Sequence, residues 1–320
     1  MFLQIVLLIL GLLLLVKGAD WLVSGASALA KKFNVSDLTI GLTVVAFGTS
    51  APELIVNGIA SFQNHQEIVF GNIIGSNNFN LFMILGISGL ILPLTVKSST
   101  AWKEIPISFF AVVILFFLIN DFFTPNSFML SRIEGVLLLA LFGGFLFYVY
   151  KQLGVETEFI EENASAKSNT MLGIYIVLGL GGLVAGGQMV VVNAVKLATT
   201  LGVSEKVIGL TIIAAGTSLP ELATSVVAAL KKNTDIAIGN IIGSNIFNIF
   251  LILGVSCIIR PIAYDVRFNT DLYLLAGGTI FLFLAMFLGN KKKLDRWEAA
   301  ILLVVFISYM VFLVSNELSA

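Results

Sequence analysis

The sequence predicts an all-α polytopic membrane protein with ten transmembrane helices, arranged as two inverted five-helix repeats with broken helices at their centre. Three observations lead there: a composition too apolar for a soluble core, two motifs that recur at one spacing, and loop charges that change sides between the copies.

Hydrophobic residues make up 58% of the 320 and charged residues 12%, and the mean hydropathy is +1.01. A water-soluble domain has no use for so much apolar side chain, so most of the chain is expected to face lipid. The formal net charge of −1 lacks the basic face that a polyanion needs, so no nucleic acid is expected as a partner. Cys257 is the only cysteine and His65 the only histidine. An intrachain disulfide, an HExxH metalloenzyme and an intramembrane Ser-His pair are thereby excluded, and neither enzymatic activity nor a cofactor is expected. The apolar start could pass for a cleavable leader ending at Ala28-Leu29-Ala30. The preceding MFLQ lacks a positive charge, however, and residues 3–30 have an internal twin at 171–198, so a leader is rejected.

That twin belongs to a longer duplication. Gly41 to Glu53, GLTVVAFGTSAPE, returns at Gly209 to Glu221 as GLTIIAAGTSLPE, and Gly71 to Phe82, GNIIGSNNFNLF, returns at Gly239 to Phe250 as GNIIGSNIFNIF. The differences 209 − 41, 221 − 53, 239 − 71 and 248 − 80 all equal 168. One offset held over this span marks a duplicated unit. Hydropathy and breaker residues place membrane segments near 3–29, 37–62, 67–93, 104–120 and 131–150, then 171–198, 205–230, 235–259, 270–289 and 296–315. The first repeat is thus 1–150 and the second 171–320; the polar stretch 151–170 between them reads as a solvated linker.

Five segments per half oblige the second copy to enter the membrane from the opposite face. The charges agree. Lys31 and Lys32 correspond to Thr199 and Thr200, Lys231 and Lys232 to Gln63 and Asn64, and Lys291 to Lys293 to Phe123, Thr124 and Pro125. Sorted by side, twelve of the 18 Lys and Arg fall on one face and four on the other, with Lys17 and Lys196 inside helices. The positive-inside rule makes the twelve-residue face cytoplasmic. Both termini are then extracytoplasmic and the linker cytoplasmic, in a protein of the cell (plasma or inner) membrane.

Glu53 and Glu221 are the acids placed deepest in the apolar runs. A charge there costs at least about 2.5 to 3.5 kcal/mol, and the motif supplies no Lys or Arg to offset it, so a cation is the simplest compensation. In GTSAPE and GTSLPE, Gly48 and Gly216 relax the backbone, Thr49-Ser50 and Thr217-Ser218 can cap a new helix start, and Pro52 and Pro220 suit its first turn. The break is expected to leave carbonyls such as those of Ala46 and Ala214 without helical partners, which is tolerable where they line a cavity or bind an ion. Ser76 and Asn80 lie four apart, as do Ser244 and Asn248, so each pair shares a helix face. Gly71, Gly75, Gly239 and Gly243 read as packing residues; Asn77 and Asn245 point elsewhere on the helix, where interhelical hydrogen bonding and no such role stand level. Carboxylate, hydroxyl, amide and carbonyl oxygen without nitrogen or sulfur donors suits hard cations such as Ca²⁺ and Na⁺.

At these residues the sequence resembles the cation/calcium exchanger superfamily, and within it the prokaryotic sodium/calcium exchangers, over essentially its whole length. The resemblance implies a secondary antiporter that exchanges Na⁺ for Ca²⁺ by alternating access and functions as a monomer. It implies Glu53 and Glu221 as central Ca²⁺ ligands, with Thr49, Ser50, Ser76, Thr217, Ser218 and Ser244 at flanking Na⁺ sites. The Ala46 and Ala214 carbonyls would join them, and the first and sixth helices would slide past a fixed eight-helix core. Asn80 and Asn248 complete the candidate ligand set. Many relatives carry Asp in the second repeat, whereas Asn248 is neutral, a departure that bears on the number of Na⁺ exchanged and argues against the potassium-dependent branch. A Ca²⁺/H⁺ antiporter is the nearest alternative; a cation channel is further off, because nothing resembles a selectivity loop.

Overall fold

The computed structural model describes residues 1–120, 128–152, 168–202, 214–288 and 292–319. Its helices run α1 (Phe2–Lys32), α2 (Asp37–Thr49), α3 (Ala51–Phe62), α4 (Gln66–Ile91), α5 (Thr100–Ile119), α6 (Arg132–Gln152), α7 (Asn169–Thr200), α8 (Leu219–Leu230), α9 (Thr234–Ile259), α10 (Val266–Ala285) and α11 (Arg296–Ser319). Among the described residues, eight are long and apolar enough to cross a bilayer; α2 and α3 pass the same test as one pair bent by 46°. α8 is a shorter apolar helix, and the helical turn Ala214–Gly216 precedes it. These account for nine of the ten expected segments. The start of the segment expected at 205–230 lies outside the described residues, as do residues 153–167 of the linker.

Helix starts are set by side chains that the sequence supplies. Ser36 accepts from the Thr39 N–H at 3.1 Å to open α2, Ser168 from the Met171 N–H at 3.2 Å to open α7, and Asn233 from the Ile236 N–H at 3.1 Å to open α9. Each satisfies a donor that a helix start leaves free. Burial then sorts the bundle. The most apolar windows of α4 and α9 are 72% and 83% buried inside the protein, whereas those of α1 and α11 are 22% and 17% buried and turn most of their apolar surface outward. α4 and α9 run antiparallel: Thr95, beyond the end of α4, bonds Thr234 at the start of α9, and Gln66, at the start of α4, accepts from the Ala263 N–H beyond the end of α9. Short antiparallel strand pairs close the two ends, Leu94–Thr95 with Lys293–Leu294 and Met129–Leu130 with Ile262–Ala263.

Glycine lets the long helices meet backbone to backbone. A Cβ on Gly18 of α1 would lie 2.8 Å from the Gly179 carbonyl oxygen and the Leu183 nitrogen of α7, and one on Gly11 would lie 3.0 Å from the Gly186 oxygen. These two contacts interchange under the offset, since 18 + 168 = 186 and 11 + 168 = 179. Gly239 and Gly243 do take the packing role read from the motif: a Cβ on either would come within 3.0 Å of α2, at Leu38, Leu42 or Ala46. The first repeat does not show the same packing: a Cβ on Gly71 would meet only Phe268, at 3.6 Å, and one on Gly75 nothing within 4 Å among the described residues, with Lys206, Gly209 and Leu210, the offset counterparts of Leu38, Gly41 and Leu42, outside them.

The alignment of Lys291 to Lys293 with Phe123 to Pro125 needs correcting. Residues 121–127 and 291 lie outside the described set, but the offset has changed by the time the chain resumes. Left-handed residues come in pairs, Asn34 with Gly202 and Asn64 with Lys232 at 168, then Phe128 with Lys292 at 292 − 128 = 164. Packing agrees. The Gly86 position meets the Leu303 side chain of α11, whereas Gly254 (86 + 168) meets that of Leu139 in α6 (303 − 164). Four residues are therefore missing from the second copy before its last helix.

One exchange fails. α1 packs along α8, and Lys231 beyond the end of α8 reaches the Asp20 carboxylate at 2.6 Å and the Ser24 hydroxyl at 2.6 Å. The offset partners of that ion pair, Gln63 and Gln188, carry no charge. Val227 on α8 is 7% exposed, whereas its counterpart Ile59 on α3 is 53% exposed.

Overpacking a helix crossing costs roughly 1 to 3 kcal/mol. Gly239→Val is expected to lower the melting temperature of the detergent-solubilised protein by that equivalent. Gly58→Ala, where a new Cβ meets nothing within 4 Å, should leave it unchanged or raise it; intrinsic-fluorescence melts of both variants provide the check.

Candidate cation site

The break falls where the motif places it. α2 ends at Thr49, Ser50 leaves the helical region with φ −82° and ψ 5°, and α3 restarts at Ala51 with Pro52 in its first turn. Ser218, with φ −88° and ψ 7°, plays the same part before Pro220 and α8. Proline has no N–H, so Pro52 and Pro220 leave the carbonyls of Gly48 and Gly216 without an i+4 donor. The carbonyl expected to be free, that of Ala46, is not: it accepts from the Ser50 N–H at 3.0 Å, because the helix continues one turn further than the motif suggested. A carbonyl oxygen has two lone pairs, and the second of Ala46 faces the Thr49 hydroxyl at 3.4 Å. Ala214 opens its helical turn directly after residues outside the described set.

Glu53 and Glu221, each 1% exposed, stand in the first turns of the restarted helices. Their hydroxyl partners come crosswise from the other copy of the motif. Ser218 Oγ donates to Glu53 Oε1 at 3.1 Å, and Ser50 Oγ to Glu221 Oε1 at 3.0 Å. Ser244 Oγ adds a contact to Glu221 Oε1 at 3.4 Å. The second oxygens, Glu53 Oε2 and Glu221 Oε2, are buried without a partner, and no basic side chain pairs with either carboxylate among the described residues. Other buried acids serve as helix-end fittings: Glu104 accepts from Tyr148 and Gln152, and Glu298 from the Asp295 N–H.

Thr49 Oγ1 donates to Asn240 Oδ1 at 3.0 Å and Thr217 Oγ1 to Asn72 Oδ1 at 3.1 Å, again an exchanging pair. Sequence reading missed Asn72 and Asn240. The signal is their shared place as second residue of GNIIGSN in both copies. Asn80 and Asn248 lie on π-helical turns, Phe79–Ile84 and Phe247–Ile252, which widen α4 and α9 at this level. Their amides donate to Asn245 Oδ1 at 3.1 Å and Asn77 Oδ1 at 2.9 Å.

Five oxygens of the candidate ligand set are buried and accept from nothing: Glu53 Oε2, Glu221 Oε2, Ser76 Oγ, Asn80 Oδ1 and Asn248 Oδ1. Carboxylate, hydroxyl and amide oxygens are the donors that Ca²⁺ and Na⁺ take, and thiolate or imidazole is absent from the set. Among the described residues no group of three or more His, Cys, Asp or Glu could hold a metal ion. Two formal charges in a cage of neutral oxygens suit an ion that is bound and released, since affinity rises with ligand charge count.

Eight apolar spans and a bent helix pair, with this cage buried among them, define a polytopic helical membrane protein of the transporter class. The chain belongs to the sodium/calcium exchanger protein family, whose model matches residues 3–151 and 171–315. It is 39% identical to the putative antiporter CaxA of Alkalimonas amylolytica, over 97% of this chain and 98% of that one. It is 32% identical to the sodium/calcium exchanger MaX1 of Methanosarcina acetivorans, over 96% and 97%. The solved sodium-calcium exchanger NCX_Mj, in crystals soaked with Na⁺ and Sr²⁺, superposes with a TM-score of 0.83 at 33% identity, covering 97% of this chain and 98% of that chain.

Each crossed serine holds a carboxylate oxygen in place, and losing one hydrogen bond to a buried charged group is worth roughly tenfold in binding. Ser50→Ala and Ser218→Ala are each expected to weaken calcium binding to the purified protein by about that factor in calorimetric titrations. Ser61→Ala, which removes a buried hydroxyl that bonds to nothing, should bind as the wild type does.

Proposed function

We propose that the protein is a secondary antiporter that exchanges Na⁺ for Ca²⁺ by alternating access, with Glu53 and Glu221 as the central Ca²⁺ ligands. One observation carries this reading: two buried carboxylates, unpaired with any basic group, each steadied by a serine from the other motif copy. Thr49, Ser50, Ser76, Thr217, Ser218 and Ser244 hold the flanking Na⁺ ions, with Asn80, Asn248 and the carbonyls of Ala46 and Ala214 completing the oxygen set. No cofactor takes part; the ions are passengers.

The two halves, 1–150 and 171–320, are inverted five-helix repeats that together span the membrane ten times. The twelve-to-four division of Lys and Arg puts the 151–170 linker in the cytoplasm and both termini outside. Interchange of the site's hydrogen bonds at an offset of 168 supports the repeat, and so does the swap of glycine contacts between α1 and α7. The failed exchange at Lys231 and Ile59 supports alternating access: two equivalent halves closed differently at their two ends are what a carrier resting in one state presents. The moving pair is α1 with α7, and one chain suffices.

Charge arithmetic sets the stoichiometry. The two glutamates sum to −2, so one Ca²⁺ or two Na⁺ bring the occluded site to zero, while three Na⁺ leave +1 near the bilayer centre. Asn248 adds no charge, and two Na⁺ per Ca²⁺ follows. An empty site at −2 switches reluctantly for the same reason, which enforces exchange over leak.

The test is calcium uptake into proteoliposomes with sodium, potassium or proton gradients imposed one at a time. Uptake is expected only against sodium, to be lost in Glu53→Gln and Glu221→Gln variants that still insert and purify normally, and to keep its reversal point when voltage is clamped with valinomycin and potassium. Calcium flux driven by protons, or near-normal exchange in either variant, refutes the assignment; a voltage-dependent reversal point refutes the two-to-one ratio alone.

A further inference from the structure

Four asparagines, Asn77 and Asn80 on α4 with Asn245 and Asn248 on α9, form a closed set of hydrogen bonds between the two central helices. Asn77 Nδ2 donates to the Asn245 carbonyl at 3.3 Å, and Asn245 Nδ2 to the Asn77 carbonyl at 3.5 Å. A backbone carbonyl can only accept, so the atom that each of these side chains turns toward it must be the amide nitrogen. This fixes the other end. Asn77 Oδ1 must face Asn248, and Asn245 Oδ1 must face Asn80.

An oxygen that only accepts demands a donor. Asn248 Nδ2 meets Asn77 Oδ1 at 2.9 Å, and Asn80 Nδ2 meets Asn245 Oδ1 at 3.1 Å. With their nitrogens committed, Asn80 and Asn248 have one orientation left, in which each Oδ1 is buried with no hydrogen-bond partner. All four residues are at most 2% exposed, so water does not compete for these bonds. The orientation of all four carboxamides thus follows from two backbone carbonyls.

We infer that Asn77 and Asn245 are positioning residues: anchored crosswise to each other's backbone, they hold the carboxamides of Asn80 and Asn248 with oxygen toward the ion. This rests on the reading of Asn80 and Asn248 as ligands given above.

The pairing is specific, Asn77 with Asn248 and Asn245 with Asn80, and a crossed mutant cycle reads it. Losing the partner of a buried amide is worth roughly tenfold. Asn77→Ala is expected to raise the calcium concentration for half-maximal uptake in proteoliposomes by about that factor, with the maximal rate changed far less. In an Asn248→Ala background the same substitution should add less than about twofold, since its target is gone, while in an Asn80→Ala background it should keep its full effect. A residue that merely helps the helices pack would add its cost in both backgrounds. Should Asn77→Ala fail to assemble, judged by gel filtration in detergent, Asn245→Ala carries the mirror-image prediction with Asn80→Ala as its silent background. Equal effects in the two backgrounds, or an unchanged half-maximal concentration, overturn the inference. If Asn80→Ala and Asn248→Ala themselves behave as wild type, the amides are not ligands and the inference falls with them. The glutamate site is judged separately, by the loss of exchange in Glu53→Gln and Glu221→Gln.

Discussion

The architecture depends on keeping two carboxylates buried among apolar helices with no basic group beside them among the described residues. The lenient scales set the cost of each at about 2.5 to 3.5 kcal/mol, a large fraction of what a folded chain has to spare. A Lys or Arg beside them would remove that cost but leave a paired carboxylate little capacity for a cation. Part of the cost is offset by hydroxyl donors from the other motif copy, Ser218 on Glu53 and Ser50 on Glu221, whereas the carbonyl oxygens and those of Asn80 and Asn248 only accept and add to the need for a positive charge. The second oxygen of each carboxylate is left buried and unpartnered, so the pair is only partly compensated by the protein itself.

That constraint accounts for the backbone. A straight helix satisfies its own carbonyls and offers an ion nothing, so a proline in each bent helix detaches one carbonyl, and a serine sits at the bend where its hydroxyl can leave the helix surface. π-helical turns in α4 and α9 shift the residues that follow them round the helix and carry Asn80 and Asn248. Glycine at 239 and 243 then brings α2 close enough for Thr49 to reach Asn240. Close approach, helix bending and exposed oxygen are one device.

Most of this is legible in the sequence because the chain states it twice. A carboxylate in one apolar run has several readings; the same carboxylate 168 residues later, behind the same Gly-Thr-Ser and Pro, has few. The breaks and the boundaries of the described spans could therefore be placed within a few residues. What escaped was the identity of partners. That Ser50 serves Glu221 rather than its own neighbour Glu53 depends on how the halves interlock, and no periodicity encodes it. Asn72, Asn77, Asn240 and Asn245 were visible as motif letters but silent as to role, since an amide either packs or bonds according to what faces it. The carbonyl of Ala46 was misjudged for a related reason: helix termination depends on local hydrogen bonds that vary by a residue between one proline break and the next. The missing four residues before α11 fell in a connection with no motif to mark them.

Strontium, a heavier relative of calcium with a strong anomalous signal, gives the most direct test of where the ion sits. Crystals of the sodium-free protein soaked in strontium are predicted to show one dominant anomalous peak between Glu53 Oε2 and Glu221 Oε2, within the roughly 2.3 to 2.6 Å reach of calcium-type coordination or slightly beyond it, and to lose that peak in Glu221→Gln. A dominant peak elsewhere in the bundle, or one that survives the substitution undiminished, would contradict the claim that these two carboxylates hold the transported ion.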